Sequence, residues 1–269
     1  MNAFTVDLEE WFHICGAGGR LAPANWDALP SRVVANTRDL LALLETCGVS
    51  ATFFVVGWVA DRHPELIADI QACGHEIGAH SFAHRRVYEL SPDAFAEDLD
   101  RNLRALRAAG VATIRGFRAP EWSINDRSLW ALDTLVRKGF AFDSSMTPLR
   151  LIGNPSYPHV RHTRATPHGP IEEFPPLVGR RLGQNVPLGG GWGLRLSRPR
   201  TVIREIEKRN SLGQGTTLFV HPWEIDDDPP RALLGPAAHF VHYAGLGGFR
   251  HRLAEVLRRV PFGPMHAAL

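Results

Sequence analysis

Gly74-His75-Glu76-Ile77-Gly78-Ala79-His80-Ser81-Phe82-Ala83-His84 reads as a helix stop, a short strand and a histidine pair. Gly74 closes a helical pattern, His75 to Ala79 is the strand, and His80 and His84 follow it. Residues four apart meet on one face if the segment turns helically, and imidazole is a common neutral ligand for zinc and related ions. A strand that runs into such a pair also suits an α/β barrel, where sites gather at the carboxyl ends of the strands. The His-x-x-x-His spacing alone fits a surface turn equally well, so a metal site needs a carboxylate from elsewhere.

The same alternation continues on both sides. Further strands are expected at Ala3–Val6, Ala51–Val56, Arg115–Arg118, Phe140–Ser144, Ile171–Phe174 and Thr216–Val220. Helices are expected from Ser31 to Thr46, Pro64 to Cys73, Ser91 to Ala109, Asp126 to Lys138, Ser197 to Asn210 and Phe249 to Arg259. Ser31 and Ser197 read as N-caps, Pro92 sits in a first turn, and Gly48 and Gly110 lie past helix ends. Residues 147–170, rich in proline and histidine, read as a surface loop. Repeated strand–helix units predict a parallel sheet with helices outside: an α/β fold, a distorted, partly open (β/α) barrel of about seven strands. Residues 1–269 read as a single domain, with 225–269 a C-terminal extension packed on the barrel.

Composition narrows the function. The 269 residues are 44% hydrophobic, enough for a sizeable core, and 30 basic against 28 acidic side chains give no case for nucleic acid. Cys15, Cys47 and Cys73 are odd in number and form no Cys-x-x-Cys pair, so neither a disulfide framework nor a zinc finger is indicated. No run approaches the ~20 apolar residues of a membrane span. Met1 to Val6 lacks the charged start and apolar core of a signal peptide, so the expected location is cytoplasmic.

The polar residues that need explaining fall at strand ends. Asp7, Glu9 and Glu10 follow the first strand, His80 and His84 the third, and Arg118 the fourth; Asp143 and His221 close the fifth and the last. In a barrel these ends converge on one mouth. Two neutral imidazoles and one carboxylate form a common catalytic zinc set with a position left open. If residues 3–9 stay extended, Asp7 and Glu9 share a face and Glu10 points away, toward solvent or a salt bridge.

Five ordered stretches are similar to the polysaccharide deacetylase family, the NodB-type carbohydrate esterases. They are Thr5-Val6-Asp7-Leu8-Glu9-Glu10-Trp11-Phe12, Gly78-Ala79-His80-Ser81-Phe82-Ala83-His84, Phe117-Arg118-Ala119-Pro120-Glu121-Trp122, Phe142-Asp143-Ser144-Ser145, and Leu218-Phe219-Val220-His221-Pro222-Trp223-Glu224. The glycines before Trp192 and the stretch His242–Gly247 resemble the exopolysaccharide-locus (PEP-CTERM/exosortase-associated) subfamily. The family pattern has two adjacent aspartates in the first motif, whereas here Leu8 separates Asp7 from Glu9; the fourth motif lacks the usual nearby tryptophan.

The resemblance implies a role for each residue. His80, His84 and a first-motif carboxylate, Glu9 with Glu10 as the alternative, would hold one divalent metal ion, zinc first, with cobalt, nickel, iron or manganese also accepted by such a set. Asp7 would be the base, oriented by Arg118, and His221 the acid, held by Asp143. Pro120, Trp122 and Trp223 would line the sugar site. The implied reaction is removal of N-acetyl groups from N-acetylhexosamine units of an exopolysaccharide or its precursor, met at the inner face of the cytoplasmic membrane. Small cyclic or formylated amides are an alternative substrate class, and a catalytically silent glycan-binding protein is the alternative of another kind.

Overall fold

The computed structural model describes residues 1–269. In chain order the elements are β1 (Asn2–Leu8), α1 (Val33–Cys47), β2 (Thr52–Val55), α2 (Gly57–Arg62), α3 (Pro64–Ala72), β3 (Glu76–Ala79), α4 (Pro92–Ala108), β4 (Gly116–Phe117), α5 (Trp130–Arg137) and β5 (Phe142–Asp143). Then come β6 (His162–Thr166), β7 (Gly169–Glu173), β8 (Val178–Arg181), β9 (Gln184–Pro187), α6 (Gly191–Leu196), α7 (Pro199–Asn210), β10 (Thr217–Val220), α8 (Pro236–Tyr243), α9 (Phe249–Arg259) and β11 (Phe262–Gly263).

The main sheet runs β10-β1-β2-β3-β4-β5-β7-β6. Seven of these strands are mutually parallel, β6 is an antiparallel edge, and β11 adds a parallel pair to the start of β1. The sheet curls but does not close. The chain after β7 bridges the opening instead, Leu177 N–H donating to Thr217 O at 2.9 Å and Phe219 N–H to Gly189 O at 2.8 Å.

Side-chain alternation along β1 explains how the site is built. Phe4, Val6 and Leu8 belong to the large apolar cluster packed under the helices, whereas Ala3 belongs to a separate inner cluster with Phe54, Phe142, Phe174 and Met265. Successive side chains of a strand point to opposite faces, so Thr5 and Asp7 face inward with Ala3. The interior is crowded by rings: a Cβ added at Gly116 would sit 2.1 Å from Phe142, and one at Gly78 2.7 Å from Phe54. Filling by side chains makes the barrel a packed core rather than a pore. Met265 closes its lower end, its N–H donating to Thr52 Oγ1 at 2.8 Å.

Several elements differ from those the sequence predicts. Residues 162–166 form the strand β6 within the expected loop; alternating half-buried and exposed side chains give this edge strand no apolar face to read. The helix α1 begins at Val33 without a serine cap. Its first amides are met instead by Glu10, which accepts Arg32 N–H at 3.1 Å and Val33 N–H at 3.2 Å. Glu10 is thus a buried helix cap rather than a solvated residue. The six-residue helices α2 and α6 are too short to leave a periodic signal. No helix is long and apolar enough to cross a membrane.

Candidate active site

Register sets the level of the site. Leu8, Val55, Ala79, Phe117, Asp143 and Glu173 lie in one row across β1, β2, β3, β4, β5 and β7. Glu9, His80 and Arg118 stand one step beyond that row, and Asp7, level with His221, one step before it.

Arg118, fully buried, organises one side. Its Nη1 donates to Asp7 Oδ1 at 2.6 Å and to Thr5 Oγ1 at 2.7 Å, and its Nε and Nη2 donate to the backbone oxygen and hydroxyl of Ser144. The guanidinium lies over the rings of Phe54 and Trp122 at 4.4 and 4.6 Å. Burial pushes its pKa down, yet a guanidinium starts so high that it stays charged. Left unpaired, that buried charge would cost several kcal/mol, and these partners offset it.

Glu9, His80 and His84 form the second group, their donor atoms all within 4.8 Å of one another and all three residues buried. His80 Nδ1 lies 2.7 Å from Arg118 O, so that nitrogen carries the proton and Nε2 keeps its lone pair free. Burial brings the His80 pKa down to about 4, which keeps it neutral as a ligand must be. His84 Nε2 is 2.6 Å from Glu9 Oε2. Burial disfavours charge on both, but Cys15 and Glu9 raise the His84 pKa, while His84 and His221 hold the Glu9 carboxyl well below the usual range. Without an ion, His84 and Glu9 thus pair as imidazolium and carboxylate; two imidazoles with one carboxylate fit a divalent ion, whose binding would release the His84 proton.

The histidines meet through a loop rather than through the helical turn that their spacing also allows. Residues 80–86 form a loop in which Ser81 and His84 take left-handed backbone angles, φ +63° and +49°. Such angles are strained for residues with a Cβ and need outside support. It comes from α4: Asp98 accepts Phe82 and Ala83 N–H, and Asn102 Nδ2 donates to Ser81 O at 2.9 Å. Cys15 adds a contact, its thiol donating to His84 O at 3.1 Å and lying 3.5 Å from Nδ1. Sequence reasoning missed Asp98, Asn102 and Cys15, because none lies in a motif.

His221 completes the mouth, its Nε2 3.9 Å from Asp7 Oδ2 and 3.6 Å from Glu9 Oε1. Burial opposes its charge, but Glu9, Glu224 and Asp7 raise its pKa to about 9. The expectation that Asp143 holds this ring is not met. Asp143 faces Glu173 across the β5–β7 pair and accepts the Ser145 hydroxyl at 2.5 Å. Two carboxyls buried side by side cannot both ionise, so they share a proton; burial raises Asp143 to about 6 and Glu173 well above its usual value. The residue beside the His221 ring is Glu224, with Oε2 3.1 Å from Nδ1.

The expected sugar-facing aromatics need a second correction. Trp223 is stacked between His221 and His242, centroids 5.1 and 4.2 Å away, so both faces are covered. Its indole N–H donates to Glu9 Oε1 at 3.3 Å. Trp122 is buried against Phe219 and the Arg118 guanidinium, and Pro120 is buried beside it. These residues build the walls behind the site rather than a surface for a sugar ring.

Comparison with known proteins fits this geometry. A Mycobacterium smegmatis structure described as a polysaccharide deacetylase aligns with TM-score 0.64 and 23% identity, covering 99% of this chain and 87% of that one. The fold is that of the NodB-type deacetylases. Residues 20–138 match the family model described as polysaccharide deacetylase, and residues 144–269 match one described as a domain of unknown function (DUF3473). Over 149 residues, 51% of its length, the chain is 27% identical to a peptidoglycan-N-acetylglucosamine deacetylase of Bacillus cereus, 53% of which is matched. Over 101 residues, 37% of its length, it is 33% identical to a chitooligosaccharide deacetylase of Bradyrhizobium sp., 43% of which is matched. The chain thus spans about half or less of these curated relatives. Family model and relatives alike make this chain similar to polysaccharide deacetylases over about half of its length or less.

Proposed function

We propose that the protein is a metal-dependent hydrolase that removes N-acetyl groups from N-acetylhexosamine units of a glycan. The observation that carries this reading is the Glu9–His80–His84 donor set flanked by a carboxylate, Asp7, and an imidazole, His221. A divalent ion held by those three residues, zinc first among the candidates, would polarise the amide carbonyl and acidify a water. Asp7 has one oxygen fixed by Arg118 and the other free to take the proton of the attacking water. His221 Nε2 gives its proton to the departing nitrogen. A C–O bond forms, the C–N bond breaks with its electron pair on nitrogen, and acetate and a free amino sugar leave. The motif resemblance to exopolysaccharide-locus proteins supports an exopolysaccharide or its precursor as the substrate, met at the inner face of the cytoplasmic membrane.

The test is acetate release from N-acetylglucosamine oligomers by the zinc- or cobalt-loaded protein, with Asp7→Asn as control. Metal-dependent release that the substitution abolishes is the expected result. No release despite one bound ion per chain would redirect the search to small cyclic or formylated amides. No release and no bound metal would overturn hydrolysis and leave a glycan-binding protein.

A further inference from the structure

The segment matched only as a domain of unknown function contributes His221 and the groups behind its ring, Trp223, Glu224 and Arg195. Residues 221–224 form one tight turn after β10, and three of its side chains go in different directions. His221 faces Asp7 and Glu9, Trp223 donates to Glu9, and Glu224 turns back into the protein. The Glu224 carboxylate is fully buried; Oε2 accepts His221 N–H at 2.8 Å and lies 3.1 Å from Nδ1. Its other oxygen is 2.9 Å from Nη1 of Arg195, a guanidinium equally buried on α6. Arg195 is fixed in turn by the carbonyls of Val241 and His242 at the end of α8, where a cation is favoured.

From this chain of contacts we propose that Glu224, held by Arg195, is the positioning residue of the proton donor, and that residues 144–269 form the proton-delivering half of the site. Nδ1 has no aligned hydrogen bond, and a bare lone pair 3.1 Å from a carboxylate oxygen would be repulsive; a proton on Nδ1 makes that contact attractive and sets Nε2 toward the mouth. A freely turning ring would present Nε2 to the leaving nitrogen only part of the time, a loss in rate rather than in binding. The Arg195 charge holds the carboxylate ionised and in place; Glu224 touches neither substrate nor metal ligand. The inference rests on the hydrolytic reading above for what the proton does, but not for where Nδ1 points.

Two measurements on the zinc-loaded full chain test it. The first follows imidazole N–H resonances in histidine-labelled protein. A downfield Nδ1–H signal, assigned by its loss in His221→Asn, should be present in the parent and absent in Glu224→Gln. The second compares acetate release from an N-acetylglucosamine tetramer and from 4-nitrophenyl acetate, whose phenolate leaves without a proton. Glu224→Gln should lower kcat on the amide at least ~100-fold with KM within about twofold, and change the ester rate less than about threefold. Glu224→Asp should recover part of the amide rate. If Glu224→Gln fails to fold beside an uncompensated Arg195, the Arg195→Met/Glu224→Gln double variant, which removes both charges, takes its place. A missing Nδ1–H signal in the parent, a signal kept in the variant, or equal losses on both substrates would overturn the proposal. A parent that leaves every N-acetyl substrate intact would instead remove the deacetylase reading, with the resonance still deciding the ring.

Discussion

Asp98 on α4 accepts the backbone N–H of Phe82 at 2.9 Å and of Ala83 at 3.1 Å, so an outer-layer helix fixes the loop between the two histidines. Removing that carboxylate frees a strained loop without touching a ligand. Asp98→Ala should weaken zinc binding ~10–100-fold, as loss of outer-shell support does, and cost about 1–3 kcal/mol of stability. Competition against a zinc chelator and a denaturant titration measure the two effects; unchanged affinity would show that the loop holds itself.

Glu9 and Glu10 are neighbours with opposite duties. Glu10→Gln leaves one acceptor for the first amides of α1 and should cost about 0.5–2 kcal/mol, with metal stoichiometry unchanged. Glu9→Gln should lose the bound ion. Elemental analysis of both purified variants decides the assignment, and an ion lost from the Glu10 variant would reverse it.

Arg118 and Asp7 form a buried pair whose partners are unequal in consequence. Asp7→Asn keeps an acceptor for the guanidinium, so it should fold normally while amide hydrolysis drops ~10²–10⁴-fold. Arg118→Met leaves Asp7 buried beside an apolar chain and should cost about 3–5 kcal/mol. Activity and unfolding midpoint, measured on both, should separate in this way.

The Asp143–Glu173 pair sets a pH dependence of stability. Burial raises both pKa values, Asp143 to about 6, so the folded chain holds a proton that the unfolded chain releases above about pH 4. The folded state then binds more protons, and stability falls as pH rises through that window. Glu173→Gln supplies a permanent N–H donor to Asp143, so its melting temperature relative to the parent should rise between pH 5 and pH 8. A pH-independent difference would mean that the pair does not share a proton.

The sequence made one half of this site readable and hid the other. Asp7, His80, Arg118 and His221 each follow a strand of clear apolar character, and the period-two pattern of β1 separates Glu9 from Glu10. The partner of His221 was hidden because it comes from within the same turn, and its counterion comes from α6, too short to leave a pattern. Trp223 misled for a related reason: its covering ring, His242, comes from α8, a stretch with no element expected from the sequence.

The place of β1 between β2 and β10 also bears on the order of assembly. β1, β2 and β3 pair over short separations, which brings Glu9 near His80 and His84 early. Contact with β10 joins Asn2 to Thr216, 214 positions apart, and loops of that length close slowly and late. His221 therefore reaches Asp7 only after the ion-binding cluster can exist. In refolding experiments zinc uptake should lead and hydrolytic competence should lag, so a stalled chain would hold metal without being an enzyme.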